Sequence, residues 1–395
     1  MKSPPADGHA HRRFAPTALM LGNIVTGCSV LAPAGMLIEL SSGLDVSIRD
    51  ASLLVTFGAV MLCIGSPVTA WLTSRIERRT LLAATLAILA LGNAASAFAP
   101  GYASLLAIRL VMLAIGALYT PQAAGTAAMI VPAEKRGSTI AYIFLGWSLA
   151  AAVGLPLIAL IASHHGWRMV YGGIGVIGFV SALLLAWRLP GGLMGAPVDL
   201  KTWTDVGRNR LIVLLLLITT LQMSGQFVVF TFMGPLLTKL TQADAHGIGL
   251  VFLLYGVFGF IGIAVATRIV DSWGAYKSSL LFTGLILTGM TGWALSAGIY
   301  PLMACSVAIW GLGFASTNSM QQVRLVTAAP ALASASVSLN TSVLYIGQAV
   351  GSAIGGVLYA GEWLYGSGYV AMGFVALALS VVMLTKPRQA PEPAR

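Results

Sequence analysis

The chain has 395 residues, 57% of them apolar and only 9% charged, and a net charge of +10. A soluble domain carries about 25% charged residues, so this chain cannot coat a water-facing surface, and a soluble enzyme or soluble nucleic-acid binder is excluded. Its apolar runs reach the roughly 20 residues that a helix needs to cross a bilayer. The 45 glycines fit close approach of membrane helices.

Residues 1–13 form a polar tail with Lys2, Arg12 and Arg13. The first apolar run, 14–38, is long and lacks a cleavage site, so it reads as a retained span. Further spans are predicted at 51–73, 80–98, 103–131, 139–162 and 168–187. A polar segment, 188–209, follows with Pro190, Gly191, Gly192 and Pro197. The second set runs 210–238, 248–267, 279–298, 302–323, 335–360 and 367–385, and a Pro-rich tail, 386–395, closes the chain. The expected fold is an all-α membrane protein of twelve transmembrane helices in two pseudo-symmetric six-helix bundles, 14–187 and 210–385.

Placing both termini in the cytoplasm leaves only Arg49, Arg168 and Lys239 in outer loops and Arg109 within a span; every other Lys and Arg is then cytoplasmic. Basic loops are retained on that side, so the pattern predicts a multi-pass plasma (inner) membrane protein with both ends inside. It accounts for the high pI without nucleic acid as a partner. Cys28, Cys63 and Cys305 lie inside apolar runs with no CxxC spacing, which points to inert thiols rather than a metal site or disulfide. No metal and no cofactor are expected.

A basic turn organises each half. Gly65–Leu82 carries Arg75, Arg78 and Arg79 between two apolar helices, and the pattern returns roughly 197 residues on, as Gly262–Lys277. Pro132 with Gly154 is echoed by Pro330 with Gly351, and Ala32-Pro33 by Gly234-Pro235. Parallel repeats of six spans put the substrate site near the midplane, between the halves.

These residues resemble the major facilitator superfamily over essentially the whole chain, and within it the twelve-span efflux permeases of the drug and sugar (arabinose-type) branch. Ala70–Arg79 and Ala266–Lys277 resemble the family's motif A and its second-half copy. Arg109 with Gly116 and Pro121 resembles motif B, and Gly146–Pro156, with Gly154 and Pro156, the helix-5 antiporter motif C. Ala32–Gly35, Phe230–Pro235, Gly166–Arg168, Gln322–Arg324 and Asn340 through Gly347 to Gly356 are similar to that branch too. The resemblance implies a conformational latch built from Arg75, Glu77, Arg78, Arg79, Asp271, Gly274 and Lys277. Motif A usually has aspartate where this chain has Ser74 and glycine where it has Glu77; the second copy keeps Asp271 and Gly274. The first-half latch is therefore weaker or rebuilt around Glu77. Gly154 and Pro156 would allow close packing and bending in the fifth helix.

Proton antiport needs a protonatable group that switches access, commonly a carboxylate or histidine. Every acid here falls in a loop, tail or span end, Glu39 nearest the interior, and all five histidines lie outside the spans. This disfavours a cavity for organic cations. Coupling to protons stays open, with Glu39, Asp45 or Asp50 acting from the cavity mouth as the route. Arg109, alone inside a span, either braces its half by bonding helix-1 carbonyls or meets an anionic or polar substrate. The helices that line the cavity in the resembled family offer Asn23, Tyr119, Gln122, Gln222, Gln226, Asn318 and Gln321. Gln222 and Gln226, four apart, share a helix face. Amides both donate and accept, which suits neutral hydroxyl-rich or amphiphilic ligands; the alternative is glue between helices. Phe230, Trp147 and Trp310 either stack on a substrate ring or pack, and Arg324 reads as a cytoplasmic anchor.

The expected function is a secondary active transporter exporting small drug- or sugar-like molecules, neutral or anionic, by alternating access. Either a proton gradient or the substrate's own gradient would drive it. The alternative is an importer or facilitator of a small polar metabolite. No Walker A sequence supports an ATP-driven pump, and no catalytic cluster supports an enzyme. A small-molecule substrate and the lipid bilayer are the expected partners, and the expected state is a monomer.

Overall fold

The computed structural model describes residues 7–73, 75–132, 135–194, 205–329 and 332–386. Ser74, most of each tail and the side chain of Asp271 lie outside the described set. Among the described residues there is no strand. Twelve helices among the described residues are long and apolar enough to span a membrane. In the first half these are α1 (Phe14–Gly35), α2 (Ile48–Thr69), α3 (Arg78–Ala97), α4 (Tyr102–Ala127), α5 (Tyr142–His165) and α6 (Trp167–Arg188). The second half holds α7 (Arg210–Phe230), α8 (Ala245–Val270), α9 (Ser272–Leu295), α10 (Tyr300–Ala328), α11 (Ala335–Ala360) and α12 (Leu364–Leu384). The sequence-predicted spans agree with these to within a few residues at most ends; the largest differences are eight residues at the end of the seventh span, which follows the split described next, and seven at the start of the ninth.

Helices are required here because a bilayer core offers no water to backbone N–H and C=O groups. Three of the described starts are capped by short polar side chains. Ser47 accepts from the Asp50 amide ahead of α2, Asn209 from the Leu211 and Ile212 amides at α7, and Asp244 from the Gly247 amide at α8.

The repeat is visible in backbone detail. Soon after Pro33, α1 breaks at Met36 (φ −137°), and a short helix, Leu37–Leu44, follows and ends at Asp45 in the left-handed region. In the second half α7 gives way at Phe232 to a short helix, Met233–Thr241, which ends at Gln242, again left-handed. Gly166 and Glu362, the turn residues before α6 and α12, share a positive φ. The packing repeats as well: α1 lies against α5 and α6, and α7 against α11 and α12. One position departs from the symmetry. Gly274 adopts φ 78°, ψ 155°, a conformation open to glycine, while its counterpart Glu77 has φ −57°. The glutamate takes a different turn because a side chain there would be strained.

An even number of spans puts both chain ends on one face, called here the terminal face; the loops after odd-numbered helices lie at the far face. The halves meet through α2 against α11 and α5 against α8. Most contacts resolved at side-chain level sit toward the far face. Thr56 donates to Ser352 at 3.0 Å, His164 meets His246 edge-on at 6.0 Å, and Gly249 approaches Pro156 and Leu160. Midway along α8, a Cβ at Gly256 would fall 2.0 Å from the Ala152 Cα, so glycine alone permits this crossing.

That crossing falls on an irregular stretch of α5. Ala150–Gly154 forms a π-turn, directly before Leu155 and Pro156. Pro156 has no N–H for the Ala152 carbonyl and its ring crowds that group, so the helix widens by one residue. Gly154 then faces Cys28 of α1, whose Sγ would be 2.7 Å from an added Cβ.

Candidate functional site

Polar side chains inside the bundle gather into two matching hydrogen-bonded sets at similar depth. In the first half Asn23 of α1 donates to the Ile143 carbonyl of α5 at 3.0 Å and accepts from Thr120 of α4 at 2.8 Å. Trp147 of α5 donates its indole N–H to the same Thr120 oxygen at 3.1 Å. In the second half Thr219 of α7 donates to Asn340 of α11 at 2.7 Å, and Asn340 donates to Asn318 of α10 at 3.0 Å. Each set ties the first, fourth and fifth helix of its half. Asn23 and Asn340 are enclosed, whereas Thr120, Trp147 and Asn318 keep part of their surface open. A small hydroxylated molecule could exchange hydrogen bonds with these half-open groups.

The other sequence-predicted residues are spent on neighbouring helices in this arrangement. Tyr119, fully enclosed, donates to the Leu19 carbonyl at 3.1 Å across Gly22, where any Cβ would strike its ring. Arg78 donates to Gln122, joining the start of α3 to α4. Gln222 donates to Thr283 of α9 at 2.7 Å, and Gln226 accepts from Trp310 of α10 at 2.7 Å. Phe230 sits among Phe227, Phe252, Tyr255 and Trp310, with ring centroids 5.1 to 6.2 Å away. Gln321 donates to the Leu215 carbonyl and accepts from Arg324, which also reaches Ser279 and Thr385.

Arg109 has no exposed surface. It donates to the Ser29 carbonyl of α1 at 3.1 Å and to the Tyr171 hydroxyl of α6 at 3.3 Å, and lies 5.6 Å over that ring. Asn93 of α3 joins them by donating to the Ser29 hydroxyl at 2.9 Å. The guanidinium thus links α1, α4 and α6, a geometry that fits the bracing alternative. Asn93, Tyr171, Thr219 and Asn340 were not singled out as site residues by sequence reasoning. The repeat offset, applied to Asn23 and Ile143, would have pointed to Thr219 or Thr220 and to Asn340.

The turn residues divide. Glu77 accepts from the Gly192 amide at 2.6 Å and from Thr80 at 3.0 Å, and the Arg78 amide donates to the Leu193 carbonyl. The Gly192 N–H first, then the Thr80 hydroxyl and nearby Arg79, hold its carboxyl below the usual value. Glu77 therefore anchors the segment after α6 to the α2–α3 turn. Arg75, Arg79 and Lys277 are exposed.

At the far face Glu39 is half-buried in a cavity of about 20 Å³ where both halves meet, beside Gly35, Ala159, Gly234, Pro235 and Ile248. That is room for about one water. Burial pushes its carboxyl above the ordinary value, partly offset by its own backbone amide. Asp50 instead accepts from Ser47 at 2.6 Å as part of the α2 cap. Among the described residues no His, Cys, Asp and Glu group has metal-binding geometry.

Comparison with known proteins agrees with this architecture. The family model described as Major Facilitator Superfamily matches residues 19–351 and 215–395. The inner membrane transport protein YdhP of Escherichia coli is 30% identical over 378 residues, 94% of this chain and 96% of that protein. A probable sugar efflux transporter of Mannheimia succiniciproducens is 24% identical, covering 96% of both chains. The chloramphenicol resistance protein of Streptomyces lividans is 27% identical over 330 residues, 82% of this chain and 84% of that one. The crystal structure of the nucleoside transporter NupG superposes with a TM-score of 0.75 at 10% identity, over 94% of this chain and 99% of that one, a likeness of fold. Twelve spans in two repeats, a family match reaching across both halves and relatives aligned nearly end to end leave one assignment: the chain belongs to the major facilitator superfamily and is a membrane transporter, not an enzyme.

Proposed function

We propose that this transporter exports small drug- or sugar-like molecules, neutral or anionic, by alternating access between the bundles 14–187 and 210–385. The observation that carries the reading is the pair of amide–hydroxyl sets around Thr120 and Asn318 in an interior without a carboxylate. Among the described residues, the one acid within a span is Asp50, in the first turn of α2. Relatives named for sugar efflux and chloramphenicol resistance support the outward direction. The charge pattern supports a cytoplasmic terminal face, and YdhP's description supports an inner membrane. The protein works as a monomer in this reading, and the seam at the far face opens when the halves rock.

Proton coupling enters through Glu39. A carboxyl whose pKa is raised in the closed state binds more protons there than when hydrated, so external acid favours closure of the far face. Closure after substrate release is the step an antiporter needs from an incoming proton. Asp50 serves as a helix cap, and Asp45 is an exposed turn residue, so neither competes for this role.

The test is protection of an efflux-deficient host against neutral, anionic and cationic compounds, comparing wild type with Thr120→Val. Protection against neutral or anionic compounds, weakened at least fivefold in the variant, supports the reading. Protection confined to lipophilic cations refutes the substrate class. Accumulation of a neutral metabolite by cells without proton movement would establish the importer reading instead, which the carboxylate-free interior also accommodates.

A further inference from the structure

The second half holds a cavity of about 1240 Å³ at the terminal face, away from the polar sets. It opens between the start of α7, the α8–α9 turn and the ends of α10 and α12. Arg210, Lys277, Arg324 and Lys386 line it, one from each of these four regions, and its described lining carries no carboxylate. Arg324 is buried and held by Ser279, Gln321 and Thr385, which fixes the floor. Arg210, Lys277 and Lys386 are exposed and make no ion pair among the described residues. Between the cations the walls are apolar: Leu211, Trp273 and Leu384 line the cavity with 40%, 52% and 78% of their surface exposed. Four cations lining one concavity, with no carboxylate in its described lining, favour an anion there. The volume exceeds the roughly 300–1,000 Å³ of ordinary small-molecule sites, and the apolar walls are of no use to a hydrated ion.

We propose that this cavity binds an anionic phospholipid, its phosphate among Arg210, Lys277 and Lys386 and the first part of its acyl chains along Leu211, Trp273 and Leu384. The placement in the inner leaflet rests on the reading of the terminal face as cytoplasmic, where anionic lipid and basic pockets between helices meet. The site joins the α8–α9 turn, with its glycine break at Gly274, to three helix ends. A bound lipid therefore stiffens the part of the second half that corresponds to the Glu77–Gly192 anchor in the first.

The experiment uses the full chain in a neutral detergent, so its outcome is independent of membrane orientation and of the substrate reading. Melting temperature and native mass spectra are recorded with dioleoyl phosphatidylglycerol, dioleoyl phosphatidylcholine or sodium phosphate. Phosphatidylglycerol is expected to raise the melting temperature and to stay bound in the spectrometer, while the other two do neither. Arg210→Gln with Lys386→Gln is expected to weaken phosphatidylglycerol binding about thirtyfold, from about one surface cation's attraction per charge removed. Lys277→Gln alone, an exposed single change that leaves the packing intact, is expected to weaken it about fivefold. Equal stabilisation by phosphatidylcholine would show that charge is not recognised, and stabilisation by phosphate alone would assign the cavity to soluble anions. Unchanged affinity in both variants would place the lipid elsewhere. Each of these results overturns the proposal.

Discussion

Replacing Gly256 by alanine probes the seam between the halves with one methyl group. In the closed arrangement that methyl carbon would lie 2.0 Å from the Ala152 Cα, 2.3 Å from its N and 2.5 Å from its Cβ. Carbon atoms settle at about 3.5–4.0 Å, so α8 would have to recede from α5 by about 1.5 Å at this level. The partner is helix backbone, which cannot swing away as a flexible side chain would. Overpacking of this kind costs about 1–3 kcal/mol, and the cost applies to the closed far face. Once the halves part, alanine stands free and gains its ordinary helix preference over glycine, about 0.8–1.0 kcal/mol, in both states. The closed-to-open ratio should therefore fall roughly 5- to 150-fold. Spin labels at Ser163→Cys, near the far end of α5, and at Gln242→Cys, in the turn just before α8, in a background without the native cysteines, report the separation directly. Gly284→Ala is the control, because an added Cβ there meets nothing within 4 Å. A longer-distance population that grows in Gly256→Ala and not in Gly284→Ala is the expected result. Identical distance distributions in the two variants would refute the claim that this glycine crossing sets the closed state.

Four further outcomes are expected. Arg109→Lys cannot serve the Ser29 carbonyl and Tyr171 hydroxyl together, so it should destabilise the fold by about 1–3 kcal/mol in denaturant titrations, with KM unchanged in the folded fraction. A raised KM without lost stability would identify Arg109 as a substrate contact. Thr120→Val leaves Asn23 and Trp147 each short of a partner and should raise KM about fivefold or more, with rescue by Thr120→Ser. The Glu77 carboxyl is lowered, so its grip on Gly192 is complete above the ordinary carboxylate value and is lost as pH falls through the lowered one. Hydrogen exchange at the Gly192 amide, corrected for intrinsic rate, should speed up only in acid for the native protein and be fast at every pH in Glu77→Ala, which has no acceptor. For Glu39 the sign is opposite: far-face spin-label distances should lengthen as pH rises through its raised pKa, and Glu39→Gln should abolish that dependence.

The spans, their number and the repeat were legible because each rests on a local property: apolar length, basic turns, and proline or glycine at a fixed offset. Arg109 was legible as a brace or a ligand because a guanidinium in hydrocarbon must find oxygen. Its acceptors turned out to be Ser29 and Tyr171. The partners of Asn23 were not legible. They lie 120 and 97 positions away along the chain, and an amide carries no mark of which helix it will meet. Gly256 was invisible for a different reason. Among 45 glycines, only the three-dimensional crossing separates one that admits a neighbouring backbone from Gly284 or Gly373, which face open space. The attachment of Glu77 to Gly192 escaped notice because the 188–194 stretch reads as ordinary loop. The glycine missing at Glu77 and present at Gly274 did, however, mark where the two turns would diverge.

The seam's composition bears on how such a carrier moves without a carboxylate at its centre. The contacts between the halves are a hydroxyl pair, Thr56–Ser352, an imidazole pair, His164–His246, the approach of Gly249 to Pro156 and Leu160 and, at mid-depth, Gly256 fitted against the Ala152 backbone. Among the described residues, the seam is joined by no ion pair; the one salt bridge, Lys239–Glu362, lies within the second half and is exposed. A neutral hydrogen bond contributes about 1 kcal/mol net, and close-packed backbone contributes dispersion that vanishes within an ångström of separation. Such a seam is short-ranged: firm when shut, with little to overcome once it has parted. In the proposed cycle one half-buried carboxyl at the same seam, Glu39, would then suffice to bias it. Its raised pKa makes protonation and closure favour each other, and by linkage the bias is reciprocal. In the proposed reading, coupling placed at the gate leaves the interior free to present amides and hydroxyls to a neutral substrate, groups of the kind that stand around Thr120 and Asn318.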